Sequence, residues 1–196
     1  TTWSWSVTPS AGVTVNTSAS QNPTVNFASG GTYVVSLVAS NGSGPGTLTT
    51  QTITVNSTPT VVVSNASQTV CAGSPVTFSA SGASAYSWTS GGGTGASATY
   101  SPTAPTSYTV TGNNGGCAST AIANVAVNAL PTVSVSGVNA VCIGNSTNLT
   151  ASGASTYTWN TSATTSVISV TPAATTSYTV TGTGSNGCVN TAVRTV

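Results

Sequence analysis

The chain has 196 residues, a net charge of +1, one Arg, and no Asp, Glu, His or Lys. General acid–base catalysis needs a side chain that exchanges a proton near neutral pH, and metal sites are built mainly from carboxylates, imidazoles and thiolates. Nucleic-acid binding needs clustered Lys and Arg to neutralise phosphates. The composition therefore predicts that the chain is not an enzyme, holds no metal or cofactor, and binds no nucleic acid.

The surface is predicted to be polar but uncharged, since the chain contains 72 Ser and Thr and 16 Asn. Charge normally keeps soluble molecules apart, so a neutral surface needs either a coat of sugar or burial within an assembly. Both point to a protein outside the cell. No run of 18 apolar residues predicts a transmembrane segment. The opening Thr-Thr-Trp is not a signal peptide and indicates a mature or trimmed product.

Apolar residues alternate with Ser and Thr along the chain, which is the pattern of half-buried strands. In chain order the alternating segments are Tyr33–Ala39, Ile53–Val55, Val61–Val63, Val76–Ala80, Tyr86–Trp88, Tyr108–Val110, Val133–Val135, Leu149–Ala151, Tyr157–Trp159 and Tyr178–Val180. Turn formers such as Asn41-Gly42 and Asn186-Gly187 lie between them. No segment has a 3.6-residue period. The predicted class is all-β, and short strands at this spacing predict immunoglobulin-like β-sandwiches.

Two later parts of the chain repeat each other. The segment Ala80–Trp88 recurs 71 residues later as Ala151–Trp159, and Ser107–Gly112 recurs as Ser177–Gly182. A period of this length is that of a small globular domain and is too long for a solenoid rung.

The four cysteines follow the same period, since Cys71 and Cys117 recur as Cys142 and Cys188. Among the three possible pairings, repeat symmetry favours Cys71–Cys117 and Cys142–Cys188. Each such bridge would stabilise its small domain by roughly 4 kcal/mol. Disulfides agree with an extracellular protein. Reactive thiols are the rival interpretation, but no His or basic neighbour is present to lower a thiol pKa.

Six aromatic residues are predicted to lie in the sandwich cores, namely Trp5, Trp88, Trp159, Tyr33, Tyr108 and Tyr178. The three Trp follow the pattern of strand C, and the three Tyr open a later strand, where the hydroxyl bonds back to the backbone as in a tyrosine corner. Because they are in phase with the apolar alternation, we assign them to the core and not to a sugar-binding platform. Trp3 belongs either to the core or to its rim.

Linkers are predicted at Asn56–Pro59 and Asn128–Pro131. They divide the chain into domains 1–56, 57–128 and 129–196. Both linkers are short and end in Pro, so we expect the tandem domains to form a stiff rod.

Several segments resemble known repeats: Trp5–Pro9, Thr32–Leu37, Tyr86–Trp88, Ser107–Gly112 and Asn186–Cys188. They are similar to polycystic-kidney-disease-type (PKD) and related immunoglobulin-like repeats, which are abundant in surface and secreted proteins of Bacteroidota. The resemblance covers nearly the whole chain, with 1–56 of the PKD type and the later domains of the related type. It implies extracellular spacing, adhesion or fibre formation, often with export by the type IX route. It transfers no calcium or ligand residue, because the acidic residues of many relatives are missing.

The first domain is predicted to lack its first two strands. Trp88 follows Pro59 by 29 residues, whereas Trp5 is the fifth residue of the chain. Three explanations remain open: an excerpt of a longer polypeptide, a proteolytic product, or a gap filled by a strand of a neighbouring subunit. Strand addition of this kind would build head-to-tail filaments.

Candidate N-glycosylation sites are the seven Asn-x-Ser/Thr sequons at Asn16, Asn41, Asn56, Asn65, Asn145, Asn148 and Asn160. A chain this rich in Ser and Thr contains roughly six by chance, so the sequons alone are no evidence for sugar. Outward-facing Ser and Thr favour O-linked glycans, which would hydrate an uncharged surface.

The predicted function is that of an extracellular structural protein, a subunit or segment of a bacterial surface fibre, filament or stalk. We expect it to self-associate into a homopolymer and to carry glycans. The alternative is an adhesive or polysaccharide-binding accessory module of a larger secreted protein. That alternative is weaker, because carboxylates for sugar hydroxyls are absent and the aromatics are assigned to the core.

Overall fold

The computed structural model describes all 196 residues, which form 19 β-strands and no helix. The predicted all-β class is confirmed. The chain contains no helix that could span a membrane. The residues group into two compact units, one of 1–64, 79–98 and 109–122 and the other of 65–78, 99–108 and 123–196. The middle repeat contributes to both units, and the domain boundaries after residues 56 and 128 remain a prediction.

The first repeat forms β1 (Thr2–Thr8), β2 (Val13–Asn16), β3 (Thr24–Phe27), β4 (Gly31–Asn41), β5 (Gly44–Pro45) and β6 (Thr49–Val55). Strand β4 lies between β1 and β6 in an antiparallel sheet, and β2 pairs with β3 in a separate hairpin. The alternating apolar residues of these strands face one another. Val7, Tyr33 and Val35 form the buried centre, and half-buried Trp5 and Phe27 pack against it.

The middle repeat forms β7 (Val62–Ser64), β8 (Ser67–Cys71), β9 (Val76–Ser81), β10 (Ala85–Trp88), β11 (Ser97–Tyr100), β12 (Thr106–Asn114) and β13 (Cys117–Asn128). One sheet has the order β10-β12-β13-β8 and the other β11-β9-β7. Strands β8 and β13 run parallel, which places Cys71 opposite Asn128.

The third repeat forms β14 (Ser134–Ser136), β15 (Thr147–Ser152), β16 (Thr156–Trp159), β17 (Val167–Val170), β18 (Ser177–Thr183) and β19 (Val189–Thr195). Its sheets have the orders β14-β15-β17 and β16-β18-β19. The core between them takes side chains from both sheets, including Leu149 of β15, Trp159 of β16 and Val180 of β18.

These strand orders are those of immunoglobulin-like sandwiches. Strands β7, β9 and β11 correspond to A, B and E, and β10, β12 and β13 correspond to C, F and G. The third repeat has the same two sets, so the predicted tandem immunoglobulin-like fold is confirmed. In the first repeat β1, β4 and β6 correspond to C, F and G, but no strand corresponds to β9 or β15. Accordingly Trp5 is half-buried, whereas Trp88 and Trp159 are 6% and 2% exposed.

The strand-C tryptophans are held in the same way in each repeat. The indole N–H donates to a carbonyl oxygen of the following loop: Trp5 to Ser20 at 2.9 Å, Trp88 to Gly95 at 3.0 Å, and Trp159 to Thr165 at 2.9 Å. A buried indole N–H needs such a partner, because an unpaired buried donor is costly.

Tyr33, Tyr108 and Tyr178 are all buried. The Tyr33 hydroxyl donates to the Ser29 carbonyl oxygen at 2.9 Å, four residues upstream. Tyr108 and Tyr178 make no such bond, so the expected tyrosine corner is wrong for the two later repeats. In the middle repeat the Tyr108 ring instead stacks on Tyr100, with centroids 3.6 Å apart.

Gly82 and Gly153 occupy equivalent positions just after β9 and β15, with φ of +95° and +89°. A Cβ on either residue would lie 1.9 Å from a backbone carbonyl oxygen, that of Thr60 or Thr132 respectively. Both positions therefore require glycine for conformation and for space.

Candidate functional site: the cysteine-bridged junction

Three of the four cysteines lie at strand ends. Cys71 ends β8, Cys117 begins β13, and Cys188 directly precedes β19. Cys142 lies in the segment between β14 and β15.

One disulfide is present, and it joins Cys71 of the middle repeat to Cys188 of the third. The two Cα atoms are 5.6 Å apart, and the bridge spans 117 residues of sequence. Cys117 and Cys142 are free thiols. The predicted pairs Cys71–Cys117 and Cys142–Cys188 are therefore wrong, although the middle and third repeats each contribute one cysteine to a disulfide.

Strand geometry explains why Cys71 does not bond to Cys117. Cys117 is the first residue of the 12-residue strand β13, and Cys71 is paired with its last residue, Asn128. At roughly 3.3 Å per residue, the two ends of such a strand are about 36 Å apart. A disulfide needs Cα atoms within about 7 Å.

The same geometry applies in the third repeat. Cys188 precedes β19, and Val196 follows the far end of that seven-residue strand. Val141 and Ile143, on either side of Cys142, line a groove together with Val196. Cys142 and Cys188 are therefore separated by the length of β19, which is roughly 20 Å at about 3.3 Å per residue.

We define a junction as the linker between two repeats together with the turn that precedes the last strand of the later repeat. The disulfide closes the second of the two junctions. The second junction consists of linker Asn128–Pro131 and turn Gly184–Cys188. Asn186 donates its side-chain amide to the Ala129 carbonyl at 2.9 Å and accepts the Cys188 backbone N–H at 3.1 Å. The Cys188 Sγ lies 4.0 Å from the Asn128 carbonyl oxygen, and Cys188 is fully buried. The turn thus binds the linker through backbone oxygens.

The first junction consists of linker Asn56–Pro59 and turn Asn113–Cys117, and its contacts are of the same kind. Asn56 donates its side-chain amide to the Gly115 carbonyl at 2.6 Å. The Cys117 thiol donates to the Asn56 carbonyl oxygen at 3.3 Å. Cys117 therefore occupies the position that Cys188 occupies at the second junction.

The groove at the second junction is lined by polar and small residues and contains no ionisable side chain. A shallow groove of about 340 Å³ runs along the second junction and is lined by Ala129, Pro131, Gly153–Ser155 and Gly184–Asn186. The one charged side chain, Arg194, donates to the Gly137 carbonyl oxygen. Burial raises the pKa of Tyr100, and the neighbouring Tyr108 raises it further, so the Tyr100 phenol is neutral at physiological pH.

The candidate sugar sites are all on the surface. Each of the seven sequon asparagines is exposed: Asn16, Asn41, Asn56, Asn65, Asn145, Asn148 and Asn160. The Asn56 and Asn160 amides already donate to backbone carbonyls, so sugar attachment there would first require breaking that bond. All seven remain predictions.

Sequence reasoning missed the linker-binding asparagines and the inter-repeat bridge. A signal for the bridge was present, because the alternating segment between Cys117 and Asn128 is long enough to carry the two cysteines of one repeat to opposite ends of a sandwich. No comparable signal marks Asn186, since Asn in an Asn-Gly turn has local reasons to be there.

No protein-family model matches the sequence, and no curated protein is significantly similar to it. Among solved structures, the chain is similar to one described as the structural basis for Dscam isoform specificity, with 13% identity and a TM-score of 0.34. That match covers 64% of this chain, which spans only 38% of the Dscam structure. An I-band fragment of titin has 11% identity and a TM-score of 0.41, with 97% and 85% of the two chains covered.

The three N-terminal domains of the highly immunogenic outer capsid protein of bacteriophage RB49 have 17% identity and a TM-score of 0.37. That match covers 97% of this chain and 86% of the phage chain. The fold assignment rests on the strand orders within this chain, because superpositions at these scores are only a general likeness.

Proposed function

We propose that the chain is an extracellular structural protein, a segment of a bacterial surface fibre or stalk built from PKD-like immunoglobulin repeats at 1–56, 57–128 and 129–196. Neighbouring chains join by β-strand addition at the first repeat. The observation that carries this proposal is the incompletely covered core of that repeat. Trp5, Val25 and Phe27 pack on its buried centre yet remain half-buried.

The later repeats indicate which strand would complete this core. In β9, Phe78 is fully buried, and in β15, Leu149 is fully buried at the equivalent position. In the third repeat, Leu149 and Ala151 of β15 share a core cluster with Trp159. A strand with the alternation Val-x-Phe-x-Ala, added beside β3, would cover the exposed face of the first repeat and pair its open edge.

The surface of the chain favours close contact between copies. Arg194 is its only charged side chain, so neighbouring copies meet with almost no electrostatic repulsion. Exposed Ser and Thr supply hydrogen bonds or attachment points for O-linked sugar. The aromatic rings that a polysaccharide site would need are mostly buried, since five of the six predicted core aromatics are less than 9% exposed. This favours the structural role over a sugar-binding module.

The test uses a peptide with the sequence of residues 74–82, which includes β9. We expect saturable binding to the full chain, increased hydrogen-exchange protection of β3, and fewer filaments in electron micrographs at high protein concentration. The matched control is the same peptide with Phe78→Asp, which keeps length and turn residues but places a charge in the core. Strand addition would be refuted if the chain stayed monomeric at all concentrations and did not bind the peptide. Peptide binding without self-association would refute the homopolymer.

A further inference from the structure

The two free thiols, Cys117 and Cys142, occupy positions equivalent to the two cysteines of the bridge. Cys117 is the counterpart of Cys188, and Cys142 is the counterpart of Cys71. Cys71 and Cys188 are bonded across the second junction. The cysteines of one repeat therefore have two separate roles. The first cysteine of a repeat bonds to the following repeat, as Cys71 does. The second cysteine bonds to the preceding repeat, as Cys188 does.

We propose that Cys142 forms the same forward disulfide with a cysteine at the Cys188 position of a further repeat of this kind, joined through a strand that continues β19. The bridge would then recur at each junction between such repeats. This goes beyond the proposed structural role, because it concerns covalent linkage within a string of repeats and holds whether or not the chains form fibres.

A groove beside Cys142 shows where the continuing strand would lie. In the middle repeat, Ser67–Cys71 pairs in parallel with Asn124–Asn128, the end of β13. The period of 71 makes Val196 the counterpart of Val125. Beyond Val196 lies an open groove of about 270 Å³, lined by Asn139–Val141, Ile143, Pro172–Thr175 and Val196 itself. Three residues equivalent to Ala126–Asn128 would occupy it.

The segment that faces the groove belongs to no strand and is exposed. Ile143, which follows Cys142, is 84% exposed, and Val138 at the start of the segment is 52% exposed. Cys142 itself is exposed. In the middle repeat the equivalent Cys71 is partly covered and bonded. A parallel strand in the groove would cover this apolar segment and bring the next turn, with its cysteine, against Cys142.

The first junction supports the same arrangement, because Cys117 is placed like Cys188, the cysteine that bonds to the preceding repeat. The Cys117 Sγ lies 3.3 Å from the Asn56 carbonyl oxygen, and the bonded Cys188 Sγ lies 4.0 Å from the equivalent Asn128 oxygen. Cys117 is thus placed to receive a cysteine from a β8-type strand of the preceding repeat. None of β1–β6 is such a strand, which is why Cys117 is free in this structure.

The bond forms by thiol–disulfide exchange with a small disulfide such as oxidised glutathione. The Cys142 thiolate attacks the glutathione disulfide, forms a mixed disulfide and releases one glutathione thiolate. The thiolate of the partner cysteine then attacks the Cys142 sulfur and releases the second. Two protein thiols are oxidised, one glutathione disulfide is reduced to two thiols, and the two thiol protons pass to the released glutathiones.

The experiment extends the full chain with a second copy of residues 126–196 after Val196 and refolds it with reduced and oxidised glutathione. Free thiols are then alkylated under denaturing, non-reducing conditions and counted by intact mass. Of six cysteines we expect two to be labelled, Cys117 and the appended copy of Cys142. The extended chain with Cys142→Ser should carry three labels, because the appended copy of Cys188 loses its partner. Chymotryptic mapping is suitable, since Arg194 and its appended copy are the only tryptic sites.

The native bridge serves as the internal control for folding and oxidation, because Cys71 and Cys188 must appear in one cross-linked peptide in every preparation. Given that control, four labels on the extended chain would overturn the proposal. Covalent dimers of the 196-residue chain that vanish in Cys142→Ser would also overturn it, since they would show a second copy as the partner.

Discussion

Asn128 lies opposite Cys71 at the last position of the parallel β8–β13 pair, and its carbonyl oxygen is 4.0 Å from the Sγ of Cys188. The end of one sandwich, the linker and the turn of the next sandwich therefore meet at a single disulfide. The linker at this junction is fixed by a covalent bond and by the Asn186 amide, in addition to its Pro residue.

Removing this bridge is expected to destabilise the folded chain. Cys71→Ser should lower the free energy of unfolding by roughly 5 kcal/mol, because the bridge closes a loop of 117 residues in the unfolded state. Urea denaturation followed by circular dichroism measures the change. Cys117→Ser and Cys142→Ser are matched controls and should each change stability by less than about 1 kcal/mol. An equal loss in the controls would contradict the assigned pairing.

The chain is expected to resist acid. Acid unfolding results mainly from carboxylates that must be protonated and from neutral buried His that must become charged. The chain has none of these side chains, so between pH 7 and pH 2 only the terminal carboxyl titrates. The midpoint of thermal unfolding should be nearly the same at pH 2.5 and pH 7. A cooperative transition between these values at 25 °C would show that this account is wrong.

Alkaline pH is expected to destabilise the chain through Tyr100. Burial, followed by the charge of Tyr108, raises the pKa of Tyr100 in the folded state. The folded chain therefore holds this proton more tightly than the unfolded chain. Its contribution to stability is complete below the ordinary phenol pKa near 10 and is lost as pH rises through the raised value. Urea denaturation at several pH values from 8 to 12 should show this decline.

Tyr100→Phe provides the comparison for that decline. The variant should lose less stability than the native chain between pH 9 and pH 12, because one phenol no longer resists ionisation. The difference between the two chains should not vary with pH below pH 9, where both carry a neutral ring. Parallel alkaline curves for the two chains would exclude a role for Tyr100.

The two glycines at positive φ beside the first strand of each later sandwich should not tolerate a side chain. Gly82→Ala and Gly153→Ala combine left-handed strain of about 1–2 kcal/mol with overpacking of about 1–3 kcal/mol. The second cost arises because the new Cβ would lie 1.9 Å from a carbonyl oxygen. Gly73→Ala is the control, since Gly73 has φ of +79° but open space around it, and it should cost only the strain. Thermal unfolding ranks the three variants.

The strand-C tryptophans should differ in their contribution to stability. Trp159→Ala is expected to cost about 3–5 kcal/mol, because the side chain is almost completely buried. Trp5→Ala should cost about 1–2 kcal/mol, since half-burial removes less apolar surface from water. Chemical denaturation of the two variants measures both losses. Equal losses would mean that another element covers Trp5.

The strands could be predicted because a two-residue period maps directly onto the two faces of a sheet. Segments Val76–Ala80 and Leu149–Ala151 both lie within observed strands, β9 and β15, with their apolar residues buried. Cysteine pairing could not be read in this way. It depends on which strand ends meet, and the parallel pairing of β8 with the far end of β13 brings together residues that are 57 positions apart. Repeat symmetry alone does not distinguish pairing within a repeat from pairing between neighbouring repeats.

The hydrogen bonding of the tyrosine hydroxyls could not be predicted from the sequence either. Tyr33, Tyr108 and Tyr178 share a sequence position and a buried ring, but only Tyr33 has a carbonyl oxygen within reach. Loop conformation sets that distance, and the loops before the three tyrosines differ in sequence. Burial was therefore predictable from the alternation, whereas hydrogen bonding was not.

The bridge between Cys71 and Cys188 also determines how the chain responds to tension. When the two termini are pulled apart, force passes through the sulfur atoms and bypasses the 117-residue loop. At about 3.5 Å per extended residue, roughly 400 Å of contour length stays hidden until the bridge is reduced. Much of the middle repeat and nearly all of the third are thereby protected from stretching, and the first repeat bears the load.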